Sequence, residues 1–134
     1  MKILFNTITF KSRSKIFYNG ENKITEYYND NNTLIKTFEI DKNERFVDAK
    51  EYGKTGEIIS HMHKKYENEK ITETYKDQSQ EYKRIIKFAK KDEFTHITEE
   101  YISKTSPKSN YIHEFIRDSA NKLVRMICNG KVVI

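Results

Sequence analysis

Turn signals recur about every dozen residues along this 134-residue chain, and that spacing constrains the fold more than any other feature. They stand at NG (19–20), NDNN (29–32), DKNE (41–44), GKTG (53–56), ENEK (67–70), KDQS (76–79), KKDE (90–93), KTSPKSN (104–110), DSAN (118–121) and NG (129–130). The short segments between them are rich in Ile, Thr, Tyr, Phe and Val, and the chain holds only one proline. Short β-formers separated by regular turns predict an antiparallel meander. No segment carries a capped 3.6-residue period. The nearest approach to a helix, QEYKRIIKFAKK (80–91), also fits a strand and is read as one. The chain is long enough for one core and not two, so residues 1–134 are expected to form a single all-β domain. With no helix to cover either face, the sheet is expected to curl into a strongly curved meander of about ten to twelve short strands, between a half-barrel and a nearly closed barrel, with little or no helix. A propeller fragment is the second architecture the pattern allows.

Register can be read from the repeats, because residues flanking a turn share a face. Pairing Tyr28 with Leu34 sets Glu26 opposite Lys36, and pairing Ile40 with Phe46 sets Lys36 opposite Lys50. Tyr52 with Ile58 sets Lys50 opposite Ser60, and Tyr66 with Ile71 sets Lys64 opposite Glu73. Tyr75 with Tyr82 sets Glu73 opposite Arg84, Phe88 with Phe94 sets Arg84 opposite Thr98, and the Asn129-Gly130 turn sets Ile127 opposite Val132. One face should then carry aromatic or aliphatic residues near the strand ends and a charged row across the middle. The other should carry a stripe through Thr25, Ile35, Val47, Ile59, Thr74, Ile85, Ile97, Ile112 and Val124. A mean hydropathy of −0.87 and 34% charged residues imply a thin core, while 13% aromatics, nine Tyr and eight Phe among them, separate the chain from disordered ones.

Few residues invite chemistry. His61 and His63 alternate on one strand and share a face, as metal ligands could, but the register above surrounds them with Val47, Ala49, Thr74 and Lys76, so no metal is expected. His96 and His113 are candidates for a metal-independent ribonuclease, with Glu100 opposite His113, yet the register holds them several rungs apart. Cys128 in MICNG has no base beside it in sequence and reads as a structural thiol. The glycines are isolated at turns, GKTGEI lacks P-loop spacing, and no carboxylate cluster has metal-site spacing. No catalytic residue and no cofactor are therefore expected. The net charge of +5 is interleaved with 20 acidic residues, which speaks for solubility over a nucleic-acid footprint, although a small RNA-binding β module stays open as an alternative.

The lone cysteine precludes an intrachain disulfide and suits a reducing compartment. The N-terminal MKILFNTITFKSRSK is too short and polar for a signal peptide, and no segment has the length of a membrane span, so a cytoplasmic location is expected.

The phrases YNGENKIT, YNDNNTLI, YGKTGEII and YENEKIT, beginning at Tyr18, Tyr28, Tyr52 and Tyr66, resemble the tyrosine-rich β-hairpin repeats, YD- or MORN-like, of bacterial antitoxins and of immunity proteins against polymorphic and contact-dependent inhibition toxins. The likeness is clear from residue 18 to about 75 and fades beyond, and most units lack the paired glycines of MORN repeats. It implies a non-enzymatic inhibitor that binds a toxin domain, a nuclease among the expected targets, in a 1:1 complex and blocks its active site. Mixed-sign rows give partner discrimination. On this reading the interface is expected around Lys36, Asp48, Lys50, Lys64, Glu73, Arg84 and His96, anchored by nearby tyrosines.

Overall fold

A computed structural model describes residues 13–134. The opening apolar run of the sequence lies outside the described residues. Eleven strands follow one another: β1 (Arg13–Asn19), β2 (Asn22–Tyr28), β3 (Leu34–Ile40), β4 (Phe46–Tyr52), β5 (Ile58–Glu67), β6 (Lys70–Asp77), β7 (Glu81–Lys91), β8 (Phe94–Ser103), β9 (Tyr111–Arg117), β10 (Leu123–Cys128) and β11 (Lys131–Val132). They form one antiparallel sheet in sequence order, β1 to β11. The meander is as the turn spacing predicts, QEYKRIIKFAKK is strand, and one 3-10 turn at Pro107–Ser109 is the helical content of the described residues. The sheet does not close. β1 and β11 are its edges. The chain divides into two compact units, one ending at His63 and the other beginning at Lys64.

In the first unit, three successive hairpins share one loop. Asn29–Thr33, Asp41–Arg45 and Gly53–Glu57 each close with the first amide donating to the fifth carbonyl (3.0, 3.0 and 2.8 Å) and the fourth amide donating to the first carbonyl (2.9, 2.9 and 3.1 Å). The fourth residue takes a left-handed backbone in each: Asn32 at φ 62°, Glu44 at 62° and Gly56 at 87°. The first side chain pins the loop. Asn29 Oδ1 accepts from the amides of Asn31 and Thr33 at 3.0 Å each, and Asp41 Oδ1 accepts from Asn43 and Arg45 at 2.9 Å each. This is an Asx turn extended by one residue, in which a short side-chain acceptor satisfies amides the strands cannot reach. The second unit repeats the loop between β9 and β10, at Asp118–Lys122.

Gly53 has no side chain to offer, and there Glu57 serves instead. Its Oε1 accepts from the Thr55 amide at 3.0 Å and the Thr55 hydroxyl at 2.6 Å. The carboxylate fills the space a Cβ on residue 53 would take, with Glu57 Cδ 2.5 Å from that position.

Each of these loops is followed by a register shift, which moves the pairing by one residue and so exchanges the faces. The rungs flanking the turns are as expected: Tyr28–Leu34, Ile40–Phe46 and Tyr52–Ile58. Beyond them the sequence-based register is corrected. Lys36 stands opposite Tyr27, with Glu26 opposite Thr37. Across β3 and β4, Lys36 faces Glu51 rather than Lys50. Lys50 faces His61 rather than Ser60.

In the second unit the first hairpins are tight and their registers run unbroken. Tyr75–Tyr82, Glu73–Arg84 and Ile71–Ile86 pair as expected, as does Ile127–Val132. Between β7 and β8 the turn is a two-residue Asp92-Glu93 with Asp92 at φ 57°, a backbone that Asp tolerates. Lys91 therefore pairs with Phe94, which puts Arg84 opposite Tyr101 instead of Thr98. The expected stripe breaks for the same reason. Ile97 joins Phe88 and Phe115 on the face of Arg84, while Ile85 and Ile112 flank Glu100 on the other.

No apolar side chain among the described residues is fully buried. The buried residues are polar: Glu73 at 7% and Ser103 at 5% exposure. The thin core implied by composition is thinner than expected.

Candidate functional site

Two constellations stand out, one in each unit. In the second, β6, β7 and β8 bring Glu73, Arg84 and Glu99 to one face. Glu73 Oε1 lies 3.5 Å from Arg84 Nη2 and 3.5 Å from Lys64 Nζ, so Glu73 sits between the two cations as the repeats predict. Arg84 Nη1 extends the chain to Glu99 Oε2 at 3.4 Å. The Tyr82 hydroxyl donates to Glu73 Oε2 at 3.1 Å, and the Tyr111 hydroxyl donates to Glu99 Oε2 at 3.0 Å. Arg84 Nε is buried and has no acceptor. Four phenolic and carboxylate partners thus fix a charge row that would otherwise be costly to cover.

Beside that row, an aromatic ladder crosses four strands. Ring centroids are 5.4 Å apart for Tyr75–Tyr82, 5.1 Å for Tyr82–Tyr101, 5.3 Å for Tyr101–Tyr111 and 4.1 Å for Tyr111–His113, with Phe115 edge-on to His113 at 6.3 Å. Such pairs contribute about 0.5–1.5 kcal/mol each beyond area burial. Partial burial, then the neighbouring Glu73 carboxylate, push the Tyr82 phenol up to about 12. Tyr111 is raised by the same two causes, burial first and then Glu99. Both rings stay protonated donors throughout the neutral range.

In the first unit, the shift at Glu51/Tyr52 sets Asp48 opposite His63 and Lys50 opposite His61. Asp48 Oδ1 accepts from His61 Nε2 at 2.7 Å and from His63 Nδ1 at 2.9 Å. The expectation that Val47, Ala49, Thr74 and Lys76 surround the two histidines is thereby overturned on the β4 side. Their neighbours there are a carboxylate and a lysine. The ligand atoms of Asp48, His61 and His63 all lie within 4.8 Å of one another.

The remaining candidates separate. His96 hydrogen-bonds through Nδ1 to Glu114 Oε2 at 3.1 Å and pairs with Ile116, whereas His113 pairs with Glu99, not Glu100. Strand alternation places the two rings on opposite faces, so they do not converge on one phosphate. Of the seven expected interface residues, Lys64, Glu73 and Arg84 come together. Asp48 and Lys50 share a face of β4 from which Lys36, on the Glu51 rung, is turned away, and His96 points away from Arg84. Cys128 stands on the rung of His113, a neighbour that MICNG does not reveal.

Sequence reasoning missed Glu99 as the ion-pair partner of Arg84, Tyr101 as its rung neighbour, Tyr111 as the donor to Glu99, and Asp48 as the partner of His61 and His63. The signal that could have found Asp48 is the five-residue loop Gly53–Glu57, which brings a register shift with it. No family model, no curated protein and no solved structure matches this chain. Among the described residues no helix is long and apolar enough to cross a membrane.

Proposed function

We propose that this chain is a protein-binding module of the cytoplasm that seats a partner protein on the aromatic and charged face of its second unit. Following the likeness of its hairpin phrases to antitoxins, that partner is a bacterial toxin domain, held 1:1 and inhibited without turnover. One observation carries the reading: the ladder of Tyr75, Tyr82, Tyr101 and Tyr111 beside a fixed Lys64–Glu73–Arg84–Glu99 row. Tyrosine and arginine supply most binding energy in protein interfaces, and here their rotamers are fixed before any partner arrives. A nucleic-acid partner fits less well, because Glu73 and Glu99 lie within the row where phosphates would run.

Co-expression tests the reading. If an effector is encoded beside this gene, a cell carrying that effector's C-terminal domain should survive only with this chain present, and the two should purify as one complex. Tyr101→Ala, which keeps every charge of the Lys64–Glu73–Arg84–Glu99 row, should abolish rescue while the isolated chain stays folded. Survival indifferent to this chain, or hydrolysis of RNA by the pure protein, overturns the proposal.

A further inference from the structure

We infer that Asp48, His61 and His63 form a surface site for a divalent transition-metal ion of the Zn²⁺ class. The inference stands on the first unit alone and is independent of the partner reading. Its starting point is geometric. Two imidazole nitrogens already converge on one carboxylate oxygen, at 2.7 and 2.9 Å. In a tetrahedral Zn²⁺ site with nitrogen and oxygen ligands about 2.0–2.2 Å from the ion, donor atoms stand about 3.3–3.5 Å apart. Opening the two present contacts by roughly 0.4–0.8 Å, and bringing the two imidazole nitrogens, which lie within 4.8 Å of one another, to the same spacing, makes room for the ion by side-chain torsions alone.

The chemistry of the donors agrees. Two imidazoles and one carboxylate suit Zn²⁺ and its neighbours and do not suit Mg²⁺ or Ca²⁺, which prefer all-oxygen shells. With the carboxylate as acceptor, His61 holds its proton on Nε2 and His63 on Nδ1. Metal binding needs those two lone pairs, so each ring moves its proton to the other nitrogen, His61 Nδ1 and His63 Nε2. No proton need leave a neutral ring for that exchange.

Exposure decides what kind of site it is. The histidine side chains are 39% and 45% exposed and Asp48 only 15%. The carboxylate forms the floor and the rings the rim, so a fourth position opens to solvent, for water or for a ligand from another molecule. Two charges on the same face modulate it. Lys50, on the rung of His61, repels a cation. Glu39, on the rung of Asp48, attracts one, though its carboxylate is shared with the Asn22 side-chain amide at 2.7 Å. The two charges thus act in opposite senses on a bound cation.

Titration calorimetry with ZnCl₂ on the full chain at neutral pH tests the inference. One ion should bind per chain. Asp48→Ala should weaken binding by about tenfold or more, because a bare His-X-His pair on a strand supplies only two of the three ligands. His63→Ala should weaken it at least as much. Lys50→Ala should tighten binding several-fold, which a merely structural Asp48 does not explain, and Cys128→Ser should leave affinity unchanged. Should a variant fail to fold, proton NMR of the wild-type protein keeps the test: the His61 and His63 ring signals should shift together on Zn²⁺ addition while those of His96 and His113 stay. Equal affinity of the wild type and a folded Asp48→Ala, or ring shifts confined to His96 or His113, overturns the assignment.

Discussion

The two units are built from the same alphabet of short strands but turn their corners differently. In the first, five-residue Asx-type loops each bring a register shift, and the face exchange that follows gathers Asp48, His61 and His63. In the second, tight turns from β6 to β8 keep the register unbroken, so tyrosines on four successive strands stack into a ladder beside Glu73, Arg84 and Glu99. A shift makes a point-like cluster, and a continuous register makes a row. The loop, more than the strand, decides which surface chemistry a meander presents.

The largest way to break the contrast is to remove the centre of the row. Arg84→Met keeps the aliphatic stem but leaves Glu73, 9% exposed at its side chain, with only Lys64 and Tyr82, and deprives Glu99 of its cation. Uncompensated charge at a covered position is expensive, and about 2–3 kcal/mol of destabilisation is expected by urea denaturation at pH 7. The same change should leave the His61 and His63 ring signals of the first unit untouched. A loss below about 0.5 kcal/mol would mean that the row is a solvated surface network.

The five-residue loop gives the next largest effect. Asp41→Ala removes the acceptor of the Asn43 and Arg45 amides and the Arg45 Nε contact at 2.8 Å, and should lower the thermal midpoint by a few degrees. Glu57→Ala should do likewise in the third loop, where Glu57 stands in for a missing Asx side chain. Gly53→Asp offers a sharper test. In the wild-type background its Cβ meets the Glu57 carboxylate, which must swing away. In the Glu57→Ala background the space is free, and the new aspartate should recover the lost midpoint as Asp41 does in its own loop. Failure of that rescue would show that the loops are not equivalent.

The fold was legible because turn residues and β-formers are local signals that adjacent strands do not override. Tyr28–Leu34, Tyr75–Tyr82 and Glu73–Arg84 were all readable from their loops. What escaped was parity. Asn29, Asp41 and Gly53 announce turns, but the single extra residue after each loop is set by a left-handed fourth position occupied by Asn32, Glu44 and Gly56, three different residue types. One uncounted residue reverses every later side chain of the strand, which concealed Asp48 behind His61 and His63. Likewise, Asp92 at positive φ allowed a two-residue turn where KKDE suggested a longer one, and so hid Tyr101 from Arg84.

The smallest expected effect is a pH dependence that separates two neighbours in the ladder, Tyr82 and the Tyr75–Asp77 pair. Tyr82 is pushed up to about 12 from 10.0, by burial first and by Glu73 second. Its folded state therefore holds the proton more tightly than the unfolded chain. The stability this contributes is fully present below pH 10 and is lost as pH climbs from 10 towards 12. Asp77 behaves in the opposite sense. The Tyr75 hydroxyl first, then the Ser79 amide, hold its carboxyl at about 2, below its usual 3.8, so its contribution is present above pH 4 and fades as pH falls towards 2. Absorbance titration at the phenolate band should show several late-ionising tyrosines, of which the latest step disappears in Tyr82→Phe. Because removing Glu73's charge takes away only the second cause, Glu73→Gln should bring that step down part of the way towards 10. A step that falls the whole way would make the carboxylate, rather than the covering of the ring by its ladder neighbours, the chief influence on Tyr82.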